Sequence, residues 1–164
     1  KMPQKNNLVL SVQYADPRLK ETVSRAQLRR WVRAALFAPA ELTIRFVDME
    51  EGRALNRDYR GKDYATNVLT FAYTEGAGTA DSNGITQADI ILCTDILQRE
   101  ADEQKKPLDA HIAHLVVHGV LHAQGYDHEH DSEAQEMEQL EVDILATLGF
   151  FNPYTEKDNS GGFP

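Results

Sequence analysis

The spacing of apolar positions changes from one stretch of the chain to the next. Leu8, Val9, Leu10 and Val12 form a short apolar run that ends in alternation, which predicts a strand over 8–14. Asp16-Pro17 marks a turn. Behind Ser24, a residue suited to an N-cap, Leu28, Trp31, Val32, Ala35 and Leu36 recur at helical spacing, and Pro39 ends that helix. Glu41 to Asp48 alternates, with Leu42, Ile44 and Phe46 on one face, and predicts a second strand. Asp48 can cap a short helix through Leu55. A third strand is expected over 67–73 and a fourth over 88–93. Between them, 75–84 is rich in Gly, Ala, Ser, Thr and Asn and reads as a loop. Thr94 suits the cap of a helix toward Lys106 that stops before Pro107. A long helical stretch over 108–124 closes at Gly125, and a last helix from Ser132 to Leu148 closes at Gly149. Strands come first and helices later, which suggests an α+β or mixed-sheet domain. One domain is expected over 1–152, with a polar, flexible tail over 153–164.

Composition narrows the class. The chain has 164 residues, 41% hydrophobic and 26% charged, with a single cysteine. These values fit one globular domain. Cys93 alone gives neither an internal disulfide nor a cysteine-based zinc site. No apolar run approaches the roughly 18–20 residues of a membrane span. No signal peptide is read at the start, so a cytoplasmic domain without membrane contact is expected.

The net charge of −9 hides a split. Residues 18–62 carry 11 Lys and Arg against 6 Asp and Glu, whereas 63–164 carry 4 against 19. The basic half could meet a polyanion. Arg25, Arg29, Arg30 and Arg33 serve equally well as a solvated helix face.

All six histidines lie between His111 and His130. His118 and His122 are four residues apart, so on a helix they project from one face about a turn apart. Gly125 can take a positive φ, end the helix and turn the chain so that His128 reaches the same ion. Three neutral nitrogens plus water make the open, catalytic type of zinc site. His111 and His114 share that helix face and read as ordinary polar residues, with partnership to the metal ligands as the lesser reading. The spacing matches the ligand spacing of metzincin proteases, but those enzymes need Glu directly after the first histidine. That position is Gly119, which argues against a protease.

The run His118-Gly119-Val120-Leu121-His122-Ala123-Gln124-Gly125-Tyr126-Asp127-His128 resembles the YbeY family of bacterial metal-dependent endoribonucleases. Leu55-Asn56-Arg57-Asp58-Tyr59-Arg60, Thr66-Asn67-Val68-Leu69-Thr70-Phe71 and Ala88-Asp89-Ile90 extend the resemblance. Asn67 stands where that family usually has Asp, Thr70 where it often has Ser, and Ala88 where Gly is common. The amide at 67 speaks against an acid–base role there. The resemblance implies an α/β (α+β) single domain, with a small four-stranded mixed sheet packed with helices and the metal site on the C-terminal helical layer. It implies one zinc per chain on His118, His122 and His128, with Arg60 as the catalytic residue. It further implies cleavage of single-stranded RNA in maturation of the small-subunit ribosomal RNA 3′ end and ribosome quality control. The small ribosomal subunit and its proteins are then further partners. Arg60 could hold a phosphate bidentately, Lys62 could extend the basic track, and Asn67 and Thr70 could supply hydrogen bonds to substrate near the metal. Asp127, Tyr126 and His114 are candidate general acids, and attack by the RNA 2′-hydroxyl is an alternative to attack by water. A zinc hydrolase with a non-RNA substrate and a non-catalytic ribosome-associated factor are the competing functions.

Overall fold

A computed structural model describes residues 7–73, 84–126 and 130–155 of the chain. Strands β1 (Leu8–Tyr14), β2 (Ala40–Val47), β3 (Val68–Ala72) and β4 (Thr86–Cys93) form one sheet in the order β1-β2-β4-β3. β1, β2 and β4 run parallel, and β3 lies antiparallel to β4 at the edge. The helices are α1 (Arg25–Ala34), α2 (Met49–Arg60), α3 (Thr94–Gln104), α4 (Leu108–Ala123) and α5 (Asp131–Thr147). The expected single domain with a four-stranded mixed sheet and helices is what the chain forms.

Side chains alternate across each strand, so the register sorts them into two faces. Val12, Ile44, Ile90 and Thr70 form one row, and Tyr14, Phe46, Leu92 and Val68 the next. These rows face the main core, built with Leu28, Trp31 and Val32 of α1 and Ile112, Val116, Val120 and Leu121 of α4. Val47, Leu69, Ile91 and Cys93 point to the other face and make a smaller cluster with Ile96 and Leu55. α4 touches β3, β4, α1, α3 and α5, and is buried on most of its circumference.

Several boundaries differ from those expected. α2 does not end at Leu55 but runs to Arg60, because the first stop signal is Gly61, which takes φ 73. Thr94 is the first residue of α3 rather than its cap. α5 starts at Asp131, before the expected cap Ser132, and Asp131 and Glu133 sit in its first turn, where carboxylates suit the helix dipole. Most of the loop expected over 75–84 lies outside the described residues.

The basic face of α1 has a structural task. β1 is an edge strand, whose outer carbonyls lack a strand partner. Arg25 donates to Val12 O at 3.2 Å and covers the Tyr14 ring at 5.1 Å, and Arg29 donates to Leu8 O at 3.2 Å. The first residues of the expected tail are held as well. Lys106, between α3 and α4, donates to Pro153 O at 2.7 Å. No helix among the described residues is long and apolar enough to cross a membrane.

Candidate metal centre

Apart from Asp109, every polar side chain on α4 is a histidine, and buried polar groups need partners. His111, His114, His118 and His122 follow one another at spacings of three and four, so they form one stripe along the helix. Each is met by an acceptor. His111 Nε2 lies 2.8 Å from Glu100 Oε1, His114 Nε2 2.9 Å from Glu141 Oε1, and His118 Nδ1 2.6 Å from Glu141 Oε2. His122 Nδ1 lies 3.0 Å from Tyr126 O.

These contacts fix the ring tautomers. An ionised carboxylate or a carbonyl only accepts, so the imidazole nitrogen facing it carries the hydrogen. In a neutral ring the other nitrogen then keeps its lone pair. His118 and His122 both face their acceptors through Nδ1, so Nε2 is the nitrogen through which each ring could hold a cation. Their rings are nearly parallel, 10° apart in orientation, with centroids separated by 6.5 Å. This donor set suits a divalent cation shared by two imidazoles one helical turn apart.

The acceptor for His122 is made by the helix end. Gly125, at φ 105, donates to His122 O, and Tyr126 N donates to Leu121 O, the paired bonds of a Schellman turn. That turn folds Tyr126 O back onto the His122 ring. His128 and Asp127, the next residues of the run, lie outside the described residues. Among the described residues, no group of three or more His, Cys, Asp or Glu side chains is arranged to hold a metal.

Glu141 was not foreseen. Its α5 side chain is fully buried. Besides His118 and His114, it accepts from the Tyr154 hydroxyl. Burial alone would raise its pKa, but the donors from His114, His118 and Tyr154 outweigh it and hold the carboxyl at about 2. Burial and the same carboxylate push the Tyr154 phenol far up. A signal existed in the sequence, because position 141 falls on the buried stripe of Met137, Ile144 and Leu145, where a charge needs partners. His114 is therefore more than an ordinary polar residue. It shares the carboxylate that orients His118.

Gly119 lies over the row containing Ile90 and Thr70. A Cβ there would come 3.1 Å from Ile90 Cγ2 and 3.3 Å from Thr70 Oγ1. The missing side chain thus lets the His118–His122 turn settle on β3 and β4. Arg60, the last residue of α2, reaches the same point of β3 and donates to Thr70 O at 3.4 Å. Of the three arginines on α2, Arg53 pairs with Asp63 and Arg57 with Asp58, while Arg60 meets only that carbonyl among the described residues. Lys62 is exposed just beyond Gly61.

Asn67 is drawn elsewhere. Its amide donates to Glu100 at 3.2 Å, and Glu100 in turn accepts from His111. Burial pushes the His111 pKa down against the raising effect of Glu100. Asp89 projects to the opposite sheet face, where it accepts from the Tyr73 hydroxyl.

A sequence model described as Endoribonuclease YbeY matches residues 9–149. A curated protein of that name from Janthinobacterium sp. (strain Marseille) is 67% identical over 153 residues, covering 93% of this chain and 98% of its own length. Another, from Herminiimonas arsenicoxydans, is 66% identical over 155 residues, covering 93% of this chain and 99% of its own length. The solution structure of a protein from Thermotoga maritima is similar in fold. It has a TM-score of 0.53 at 21% identity, with 96% of this chain and 99% of that one aligned.

Proposed function

The chain belongs to the YbeY endoribonuclease family, and on that premise we propose that it is a metal-dependent endoribonuclease that cuts single-stranded RNA. The substrate is ribosomal RNA, at the 3′ end of the small-subunit species, in the cytoplasm and in contact with the small ribosomal subunit. The metal is one zinc ion per chain, held by His118, His122 and His128. The observation that carries this reading is the pair of Nδ1 contacts, which leaves His118 and His122 with parallel rings and Nε2 as the ligating atom. Neutral imidazole donors without a thiolate suit zinc.

Bound there, the cation supplies Lewis acidity, activating water at neutral pH and polarising a phosphoryl oxygen. The remaining work falls to side chains of the chain itself. Arg60 binds the phosphodiester. Thr70 O holds its Nη2, and the rest of the guanidinium fork meets phosphate oxygens and offsets charge in the transition state. No carboxylate neutralises Arg60 among the described residues, unlike its two neighbours on α2, so its charge is available to an anion. Lys62 adds a second cation along the strand of RNA. The Thr70 hydroxyl, at the foot of the His118–His122 turn, hydrogen-bonds the substrate. Asn67 serves that surface indirectly, by tying the start of β3 through Glu100 to α4.

Metal content and cleavage of single-stranded ribosomal RNA, measured on wild type and His122→Ala, test this reading. Wild type is expected to hold about one zinc per chain and to cut, with both properties lost in the variant and cutting abolished by a chelator. Cleavage that persists unchanged in His122→Ala would overturn the assignment.

A further inference from the structure

Glu141 is fully buried, yet it collects three donors from two other parts of the chain: His118 and His114 on α4, and Tyr154 from the segment after α5. A buried carboxylate with one donor would be costly, whereas with all its donors in place it is rigid. The two oxygens divide the work. Oε2 takes His118 Nδ1 at 2.6 Å, and Oε1 takes His114 Nε2 at 2.9 Å together with Tyr154. The Tyr154 ring also packs edge-on against His114, with centroids 5.2 Å apart. Rotating Glu141 away from His118 would therefore break all three of its hydrogen bonds.

We infer that Glu141 is the positioning residue of the metal centre, holding His118 with Nε2 presented to the cation, and that Tyr154 locks Glu141 in place from the C-terminal segment. The inference rests on the metal reading above, but its geometry concerns this chain alone. It makes Pro153 and Tyr154 part of the site, although they follow the domain boundary that composition suggested. It also gives the acidic second half of the chain a local function, since a negative charge beside a ligating imidazole raises the basicity of that ligand.

Two measurements test it. Side-chain 15N spectra of the metal-free protein, taken where the imidazoles are neutral, report which nitrogen of His118 carries the hydrogen. Zinc competition against a chromophoric chelator reports affinity for wild type, Glu141→Gln and Tyr154→Phe. His118 is expected as the Nδ1–H form in wild type. Glu141→Gln preserves volume but offers one acceptor oxygen to three donors. It is expected to weaken zinc binding about 10–100-fold and to release His118 from the single Nδ1–H form. Tyr154→Phe keeps the ring and removes one donor, so a smaller loss in the same direction is expected. Wild-type His118 in the Nε2–H form, or a folded Glu141→Gln that binds zinc as tightly as wild type, would overturn the inference. Should Glu141→Gln fail to fold, the wild-type tautomer and the affinity of Tyr154→Phe decide. Wild type that binds no zinc defeats the metal reading instead, and the His118 tautomer still judges the role of Glu141.

Discussion

Gly119→Ala sets two known effects against each other. In a helix interior, replacing Gly by Ala stabilises by about 1 kcal/mol through backbone entropy. Here the added methyl would sit 3.1 Å from Ile90 Cγ2, 3.3 Å from Thr70 Oγ1 and 3.4 Å from Ile90 Cδ1. Carbon atoms prefer about 3.5–4.0 Å, so the helix must rise by a few tenths of an ångström. Ile90 is buried in the middle of β4 and has little freedom to yield. Overpacking of this kind costs about 1–3 kcal/mol. The repulsion therefore wins, with a net loss of about 1 kcal/mol. For a chain of this length that corresponds to a melting temperature about 2–4 °C lower. Urea unfolding of the metal-free protein measures it, in the wild-type and Ile90→Ala backgrounds. Removing Ile90 Cγ2 and Cδ1 together gives the methyl room, so the penalty should shrink by about 0.5–1 kcal/mol in the double variant. Stabilisation by Gly119→Ala of the same size in both backgrounds would refute the close approach. The glycine would then be explained by something other than packing.

Arg60→Ala is expected to keep its metal and lose about 10²–10³ in cleavage, the usual consequence of removing one transition-state donor; loss of metal in this variant would refute the assigned role. Arg60→Lys should recover little, because an ammonium cannot reproduce the fork. Arg25→Ala should cost about 0.5–1 kcal/mol of stability and leave RNA affinity and its salt dependence unchanged, whereas a salt slope lower by about 1 would place Arg25 on the RNA. Acid unfolding should reveal Glu141. Its ordinary carboxyl value of 4.5 falls to about 2 in the folded chain, so its stabilisation is complete above 4.5 and is lost as pH drops from there through 2. Glu141→Gln should flatten that part of the profile, and an unchanged profile would contradict the network.

The strands and helices were legible because their signals are local. Alternation at Leu42, Ile44 and Phe46 needs only eight consecutive residues, and the stop at Gly125 needs only one. The histidine pair was legible for the same reason, since four-residue spacing on a helix already fixes two rings on one face. Arg60 was singled out by resemblance, but not its surroundings. Its proximity to Thr70 depends on α2 running five residues past Leu55 and on β3 taking the sheet edge. In the basic run of α1, Arg25 and Arg29 satisfy edge-strand carbonyls, a structural task that no local pattern reveals.

Local patterns thus single out His118 and His122 as candidates to share a cation and place each element roughly. How those rings are aimed depends on the packing of distant segments. Glu141 is 23 residues from His118 and Tyr154 is 40 from His114, and only packing of α5 and the segment after it against α4 brings them together. Spacing can set which face of a helix a ring occupies. The hydrogen on that ring is placed by whatever acceptor the rest of the chain presents to it, and that is a long-range property.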